Sequence, residues 1–318
     1  MPRSGDVSLQ KRTIVRSIKP PMLHRIRLFG VGLLSRFAPA AAARVARRLF
    51  LTPPRYPAPD REREVLARAR VGSVRVAGRR IATWSWGAGP RILLVHGWGG
   101  RGGQLGAFVE PLVGRGFSVT AFDGPAHGSS EGRTVTIPEM AEALSGVIDA
   151  VGPVRGIVAH SGGGVVSAWA IRRSLLGGFV ELPAAIALVA PAADFRGYLE
   201  RFMQACGLSA GARRWLERGL EARVGVTPDE LDPSRFAAEL PLAALVVHDR
   251  DDGEVPWTEG AAIATAWPGA ELVTTHRLGH RRILRDPAVV ARVTGFLEAR
   301  LACDAPRADE LSTVAALC

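Results

Sequence analysis

The sequence GIVAHSGGG, residues 156–164, joins a short apolar run to a glycine-rich turn. Residues 156–159 predict a strand, and residues 163–175, rich in Val, Ala and Ile, predict a helix. Ser161 stands at the corner between them, flanked two positions away on each side by Ala159 and Gly163. A sharp strand-to-helix turn strains the backbone, needs small flanking residues and presents the serine oxygen clear of the sheet. Small-x-Ser-x-small matches are common in ordinary turns. The strand and the helix predicted on either side of Ser161 are what favour a sharp strand-to-helix turn here.

Three further motifs lie in a consistent order around that turn. Upstream, RILLVHGWGG (residues 91–100) is a buried strand that runs into a glycine loop. Downstream, the strand-like ALVVH (244–248) leads into DRDDGEVP (249–256), and ELVTT (271–275) is followed by LGHR (278–281). With these motifs the chain, over about residues 71–301, resembles the α/β-hydrolase superfamily, in the large group of bacterial serine hydrolases with an His-Gly-x-Gly loop.

The resemblance implies an α/β-hydrolase fold: a mostly parallel central sheet flanked by helices, with a helical lid insertion at about residues 191–240. The chain's own pattern agrees, because strands and helices alternate after an antiparallel hairpin predicted at residues 71–76 and 80–86. In such sheets ligands bind at the carboxyl ends of the strands, where the four motifs fall. Apolar residues at helical spacing in the insertion predict a face that docks the lid, and part of that face lines an apolar substrate pocket.

The chemistry of the motifs assigns three catalytic roles. Ser161 is a poor nucleophile until a base takes its proton, and His280 is the candidate base because imidazole titrates near neutral pH. An acid must hold that imidazole in one tautomer. We choose Asp252, because the Asp-x-x-Val-Pro that it begins matches the family pattern, and keep Asp249 as the alternative.

The oxyanion hole is predicted from two backbone amides, those of Trp98 in the glycine loop and of Gly162 directly after the nucleophile. Asp123 resembles the family's structural aspartate. The remaining histidines of these motifs and turns are interpreted as structural: His96, His127, His160, His248 and His276. No cofactor and no metal are expected, and the expected substrate is a small-molecule ester with a small or medium acyl group.

Two other functions fit parts of the sequence. Residues 97–102, GWGGRG, match G-x-G-x-x-G after a strand, with Asp123 near the distance of a ribose contact, so a dinucleotide-binding oxidoreductase is the main alternative. The dinucleotide alternative does not explain why Ser161, Asp252 and His280 follow one another along the chain in this order. An acyltransferase on the same fold is the other alternative, since sequence does not separate transfer to an alcohol from hydrolysis. A scaffold that only binds is disfavoured because every triad position is filled.

The net charge of +11 comes from one end of the chain. Residues 1–55 hold twelve of the 41 basic residues and one of the 30 acids, so the rest is balanced and nucleic-acid binding is not expected. The basic leader, which also carries Leu, Ile and Phe, either contacts an anionic membrane surface weakly or packs as helices on the body with arginines facing water; the second is favoured. A signal peptide is disfavoured, because Arg36 interrupts the apolar stretch and no clear cleavage site follows.

The predicted organisation is a basic helical leader (residues 1–55), a hydrolase domain (56–302) and a C-terminal tail (303–318), with a proline-rich hinge after the leader. Three scattered cysteines argue against a disulfide framework and no apolar run reaches membrane-span length. A cytoplasmic protein is therefore predicted, peripheral at the inner membrane surface if the leader binds lipid. The sequence does not predict an oligomeric state.

Overall fold

The computed structural model of the chain describes residues 22–177 and 182–303, without the side chains of residues 22–27 and 303. Residues 1–21 of the predicted leader and residues 304–318 of the predicted tail lie outside the described residues. None of the described helices has both the length and the apolar character needed to cross a bilayer.

Eight described strands form one sheet. Their bounds are β1 Arg70–Val76, β2 Arg79–Trp86, β3 Arg91–Val95, β4 Ser118–Phe122, β5 Val154–His160, β6 Ala185–Val189, β7 Ala243–Asp249 and β8 Glu271–Thr275. The spatial order is β1-β2-β4-β3-β5-β6-β7-β8. Strand β2 pairs antiparallel with both β1 and β4, and all other pairs are parallel. This is the α/β-hydrolase fold that the sequence predicts.

Helices connect and cover these strands. The α-helices are α1 Met22–Phe37, α2 Pro39–Phe50, α3 Asp60–Ala67, α4 Val109–Val113, α5 Ile137–Val151, α6 Gly162–Leu176, α7 Phe195–Ala205, α8 Ala210–Val224, α9 Trp257–Ala266, α10 Gly279–Arg282 and α11 Pro287–Cys303. Short 3-10 segments lie at Gly102–Phe108, Asp229–Leu231, Pro233–Arg235, Ala237–Glu239 and Ile283–Arg285.

The predicted hairpin and the alternating strands and helices that follow are confirmed. The hairpin turn is Ala77-Gly78, and both residues have positive φ (46° and 76°), as the tightest hairpin turns require. The segment after β3 is not a regular α-helix: it begins as the 3-10 segment Gly102–Phe108 and ends after one α-helical stretch, α4. Glycines destabilise an α-helix, and here they admit close packing of α3, since a Cβ on Gly106 would lie 3.2 Å from Val65.

The sheet is buried on both faces. Neighbouring residues of β3 point to opposite sides, so Leu93 joins a core with α5 and α6 whereas Leu94 joins a core with Phe108 and α11. Strands that are buried on both sides read as continuous apolar runs, which is why residues 91–95 and 244–247 lack an alternating pattern. Packing of these cores on both faces fixes the positions of the strands, including the edge of the sheet at which they end.

A third apolar cluster joins the N-terminal helices to the insertion between β6 and β7. Helices α1 and α2 pack with α7 and α8, and we call these four helices the helical cap. The contact is close, since a Cβ on Gly32 would lie 2.6 Å from the Cys206 carbonyl oxygen, and Arg47 donates a hydrogen bond to the Gly219 carbonyl. For residues 22–50 the packing interpretation of the leader therefore holds, and Arg36 and Arg44 face water as it expects.

Candidate active site

Ser161 occupies the corner between β5 and α6, and its backbone is strained. Its φ of 53° and ψ of −126° lie in a region that L-amino acids rarely adopt. The strand fixes one side of the corner, because the Ser161 amide donates to the Val189 carbonyl of neighbouring β6 at 3.1 Å. Helix α6 begins at the next residue, so the serine side chain lies at the carboxyl edge of the sheet.

Close backbone approach explains the small residues around this corner. A Cβ on Gly163 would lie 2.5 Å from the Val95 carbonyl oxygen, which no side chain tolerates without displacing the strand. A Cβ on Gly97 would lie 2.9 Å from the Cβ of Ser161. Ala159 is fully buried, and its methyl group fits where the family more commonly has glycine. The glycine loop after β3 thus packs directly against the serine corner.

His280 and Asp252 form a buried hydrogen-bonded pair. His280 Nδ1 donates to Asp252 Oδ2 at 2.8 Å, and both side chains are more than nine-tenths buried. Asp252 Oδ1 accepts from the backbone amides of Glu254 and Val255 at 2.8 and 2.9 Å, which fixes the carboxylate. Ser161 and His280 line the same cavity, and within the described chain Ser161 Oγ makes no hydrogen bond.

The pKa of Asp252 lies well below its ordinary range. Burial alone would raise it, but hydrogen bonds from His248 and His280 and from the Val255 amide outweigh that effect. The carboxylate is therefore charged near neutral pH, and it favours the Nδ1–H tautomer of His280. That tautomer leaves Nε2, the nitrogen needed to take a proton, without one.

The alternative acid, Asp249, contacts the loop that carries His280 rather than the imidazole. Asp249 Oδ2 accepts from Thr275 Oγ1 at 2.7 Å and from the Leu278 amide at 3.0 Å, and Oδ1 accepts from the Asp251 amide at 2.9 Å. Burial would raise the pKa of Asp249, but these hydrogen bonds lower it overall. Asp249 thus joins the end of β7 to the end of β8 and sets the position of the histidine loop.

Two backbone amides face the serine corner. An ideal Cβ on Gly162 would lie 3.6 Å from the Trp98 nitrogen, so the two residues chosen for the oxyanion hole are adjacent. The Gly162 amide is the first of α6 and has no partner inside the helix. Within residues 22–177 and 182–303, neither this amide nor that of Trp98 donates a hydrogen bond. Both are available to a negatively charged oxygen.

Buried side chains hold the glycine loop in place. His96 Nδ1 donates to the Gly97 carbonyl at 2.7 Å, and its Nε2 accepts from the Gly124 amide at 2.8 Å. Asp123 accepts from the amides of Gly102 and Ser129 through its two different oxygens, at 2.8 and 2.7 Å. These contacts agree with the structural role expected of both residues, and they fix the Trp98 amide relative to the corner.

Two histidines that the sequence analysis treats as structural contact the candidate triad. His160 Nε2 donates to the His280 carbonyl at 2.9 Å, and the two rings lie 4.6 Å apart between centroids. His248 Nε2 lies 3.4 Å from Asp252 Oδ2. Burial lowers the pKa of His160 to about 3, so it is neutral and adds no charge beside His280. The only signal in the sequence for these contacts is that both histidines lie at or near the end of a strand, within four residues of a triad residue.

A cavity of about 610 Å³ opens onto Ser161 and His280. Its walls combine the sheet edge with the helical cap and are mainly apolar. The cap contributes Phe50 and Leu51 at the end of α2, Phe195, Tyr198, Leu199 and Met203 of α7, and Leu220 and Val224 of α8. The Phe50 ring contacts the rings of Phe202 and Tyr198 in tilted arrangements, with centroids 5.0 and 5.7 Å apart, so the N-terminal segment forms a wall of the cavity.

The fold and the serine corner define an α/β-hydrolase type of protein. The sequence model of the alpha/beta hydrolase family matches residues 92–293, well over half of the chain, and the chain belongs to this family. No curated protein matches the sequence significantly.

Solved structures with the same fold include esterases and a phospholipase. An esterase from Pyrococcus furiosus is 18% identical and has a TM-score of 0.59, over 78% of this chain and 98% of the other. A bacterial membrane phospholipase A, described as a virulence factor, is 18% identical with a TM-score of 0.57, over 88% and 98%. Est1E from Butyrivibrio proteoclasticus, solved with ferulic acid, is 16% identical with a TM-score of 0.55, over 73% and 98%. At these identities the likeness shows the fold alone.

Proposed function

We propose that the protein is a serine hydrolase that cleaves a carboxylic ester of a small or medium acyl group through an acyl-enzyme. The observation that carries the proposal is the buried pair of His280 and Asp252, at 2.8 Å, on the wall of the cavity that the strained Ser161 also lines. Ser161 has a strained backbone and lines a cavity that the oriented imidazole of His280 also lines. This combination is typical of an activated nucleophile. Family membership supports hydrolysis as the reaction class.

In the proposed first half-reaction, Ser161 Oγ attacks the ester carbonyl carbon while His280 Nε2 takes the hydroxyl proton. The carbonyl oxygen becomes negatively charged, and the amides of Trp98 and Gly162 donate to it. When the tetrahedral intermediate collapses, the bond to the alkoxy group breaks and His280 returns the proton to the leaving alcohol. The acyl group remains on Ser161.

In the second half-reaction, a water molecule attacks the acyl carbon while His280 again takes a proton. The bond to Ser161 then breaks, the proton passes to the serine oxygen, and a carboxylic acid leaves. Asp252 stays ionised throughout and stabilises the imidazolium that forms in each step, in keeping with its lowered pKa.

We propose that α7 and α8 are the lid over this site and that the cap encloses the acyl group. Their apolar residues, with Phe50 and Leu51, line most of the cavity away from Ser161. An apolar wall of this kind binds alkyl or aryl groups. The volume of about 610 Å³ suits an acyl group of small or medium size.

The packing of the glycine loop counts against the dinucleotide alternative. Gly97 lies against Ser161, and a Cβ on Gly99 would lie 2.9 Å from the ring of Pro54. A pyrophosphate needs free space above such a loop. Both oxygens of Asp123 are bound to backbone amides, so this carboxylate is not free to hold a ribose.

We also propose a cytoplasmic location. The described cysteine Cys206 is buried and unpaired, and burial raises the pKa of its thiol to about 11. A buried protonated thiol of this kind is a packing residue and suits a reducing compartment.

The test of the proposed function is hydrolysis of p-nitrophenyl esters of graded chain length by the purified protein. We expect turnover of short and medium esters, and losses approaching a million-fold in Ser161→Ala and in His280→Ala. Matched controls are Ser73→Ala, an exposed serine of β1, and His276→Ala, an exposed histidine four residues before His280. Retention of full activity in Ser161→Ala would contradict the proposal, as would an equal loss in the control variants.

A further inference from the structure

Helix α1 is apolar on two opposite sides. Its inner side, with Leu28, Val31 and Ser35, packs into the cap and is nearly inaccessible. On the other side lie four exposed apolar side chains, which we call the outer face of α1: Phe29 (76% exposed), Leu33 (51%), Leu34 (38%) and Phe37 (81%).

The spacing of these residues makes them one patch. Phe29, Leu33 and Phe37 follow at intervals of four, so they stand in a row along the helix, and Leu34 borders that row. Single exposed apolar residues are normal on protein surfaces, but a helix that is apolar on both sides is usually covered on both. Five of the eleven large apolar side chains exposed in the described chain fall within residues 29–45.

The charges on α1, α2 and the residues up to 55 are all of one sign. Residues 22–55 hold seven arginines and no acid. Arg36, three positions after Leu33, borders the outer face, and Arg44 and Arg48 are exposed on α2, which packs against α1. Within the described residues, no carboxylate forms an ion pair with any of these three arginines. Residues 1–21 add five basic residues and one acid in sequence.

We infer that the outer face of α1, with Arg36, Arg44 and Arg48, docks on an anionic lipid surface. A row of phenylalanine and leucine inserts among acyl chains, while arginines at its border reach the phosphate groups. A second copy of the chain fits less well, because an isologous contact through this face would bring both sets of arginines together without an acid. The inference does not depend on the chemistry proposed for Ser161.

Docking at this face would involve the cavity wall. Helix α1 packs on α2, and α2 ends in Phe50 and Leu51, which line the cavity. The helix that meets the lipid is therefore part of the same apolar cluster that shapes the cavity, and a docked molecule presents its cap to the bilayer.

The first experiment is sedimentation of the full chain with vesicles of phosphatidylcholine, with and without about one third phosphatidylglycerol. We expect binding to the anionic vesicles that weakens with salt. Phe29→Ser/Phe37→Ser should weaken it by at least about tenfold, because two large side chains no longer insert. The control is Val71→Ser/Leu176→Ser, which removes two equally exposed apolar side chains from β1 and α6 and should bind unchanged.

A charge variant separates the two parts of the surface. Arg36→Gln/Arg44→Gln/Arg48→Gln should weaken binding to anionic vesicles by about a hundredfold at low salt, since each arginine near such a surface contributes about 1 kcal/mol. These residues make no described ion pair, so folding should be unaffected, which circular dichroism would verify.

Three results would overturn the inference. The first is no sedimentation with anionic vesicles at low salt. The second is binding that Phe29→Ser/Phe37→Ser leaves intact but deletion of residues 1–20 abolishes, which would assign it to the basic tail. The third is a dimer by light scattering that Phe29→Ser/Phe37→Ser converts to a monomer, which would make the outer face a contact between copies of the chain.

Discussion

The carboxyl edge of the sheet and the helical cap are held together by different interactions. At the sheet edge, the carboxylates of Asp123, Asp249 and Asp252 each accept at least two hydrogen bonds from backbone amides, of their own loop or of a neighbouring one. In the cap, the cluster is built from apolar side chains such as Leu199 and Leu216, and few polar groups cross it.

The difference separates the chemistry from the choice of substrate. Buried hydrogen bonds to ionised groups have narrow geometry, so they fix Ser161, Asp252 and His280 relative to one another. Apolar contacts tolerate substitutions that preserve volume and character. A change at the sheet edge should therefore abolish or slow the reaction, whereas a change in the cap should alter which ester reacts.

Among changes to the residues that position the nucleophile and the base, the largest effect is expected from Asp252→Asn. The amide side chain no longer favours the Nδ1–H tautomer of His280, so kcat should fall by about four orders of magnitude while the fold is kept. Asp251→Asn is the control, because its side chain is exposed and contacts His276 and the Arg277 amide rather than His280. Ester kinetics and circular dichroism measure both variants, and comparable activity of Asp252→Asn and wild type would remove Asp252 from the triad.

A substitution in the cap should change the preference among ester substrates. Phe50→Leu shortens one wall of the cavity, so the preference should move toward longer or bulkier acyl groups, by a factor of about ten or more in kcat/KM between neighbouring esters. Phe108→Leu makes the same change in the core beneath the sheet, away from the cavity, and should leave the preference unchanged. An equal change of preference in both variants would mean that the wall at Phe50 does not contact the acyl group.

Asp249→Asn tests the hydrogen bonds that hold the histidine loop. An amide accepts less strongly than a carboxylate and introduces donors opposite the Leu278 and Asp251 amides, so we expect the free energy of unfolding to fall by about 1–3 kcal/mol. Urea denaturation measures the loss. Activity should fall far less than in Asp252→Asn, and the reverse order would make Asp249 the triad acid.

Stability should also depend on pH. Burial lowers the pKa of His96, and it lowers the pKa of His127 and His160 to about 3, from an ordinary 6.5. The unfolded chain therefore binds more protons below pH 6.5, so the stabilisation is complete above that pH and is lost as the pH falls toward 3.

Each of these histidines contributes up to about 1.4 kcal/mol per pH unit within that window. Urea denaturation at pH 7.5, 6.0 and 5.0 should show that the free energy of unfolding of His127→Gln depends less steeply on pH than that of wild type, because the variant lacks this imidazole. Equal slopes in wild type and His127→Gln would show that His127 titrates alike in the folded and unfolded chain.

The sheet could be predicted because its signals are local. Residues 91–95 and 244–248 are apolar runs bounded by glycine or acidic turns, and motifs at the ends of parallel strands must meet at one edge. The choice of Asp252 rests instead on its match to the family's Asp-x-x-Val-Pro pattern, and the structure places it 2.8 Å from His280. The finer form of the segment after β3 is less local: residues 102–108, which contain three glycines, form a 3-10 segment that packs closely on α3.

The cap could not be predicted, because its contacts link distant segments. Leu28 and Phe50 gave an amphipathic pattern, but nothing in that pattern names α7 and α8 as the partner more than 140 residues away. The contact of His160 with the His280 carbonyl is equally non-local, across 120 residues. Side chains that act through another residue leave no periodic signal in the sequence.

Covalent labelling of Ser161 tests the proposed chemistry most directly. The full chain is incubated with a fluorophosphonate, which traps a serine oxygen activated by a base, and the adduct is located by intact mass and peptide mapping. We expect one adduct per chain, on Ser161, with loss of ester hydrolysis, and no adduct in His280→Ala. Ester hydrolysis that survives exposure to the probe with Ser161 unlabelled, or an adduct only on another serine, would contradict an activated nucleophile at the corner of β5 and α6.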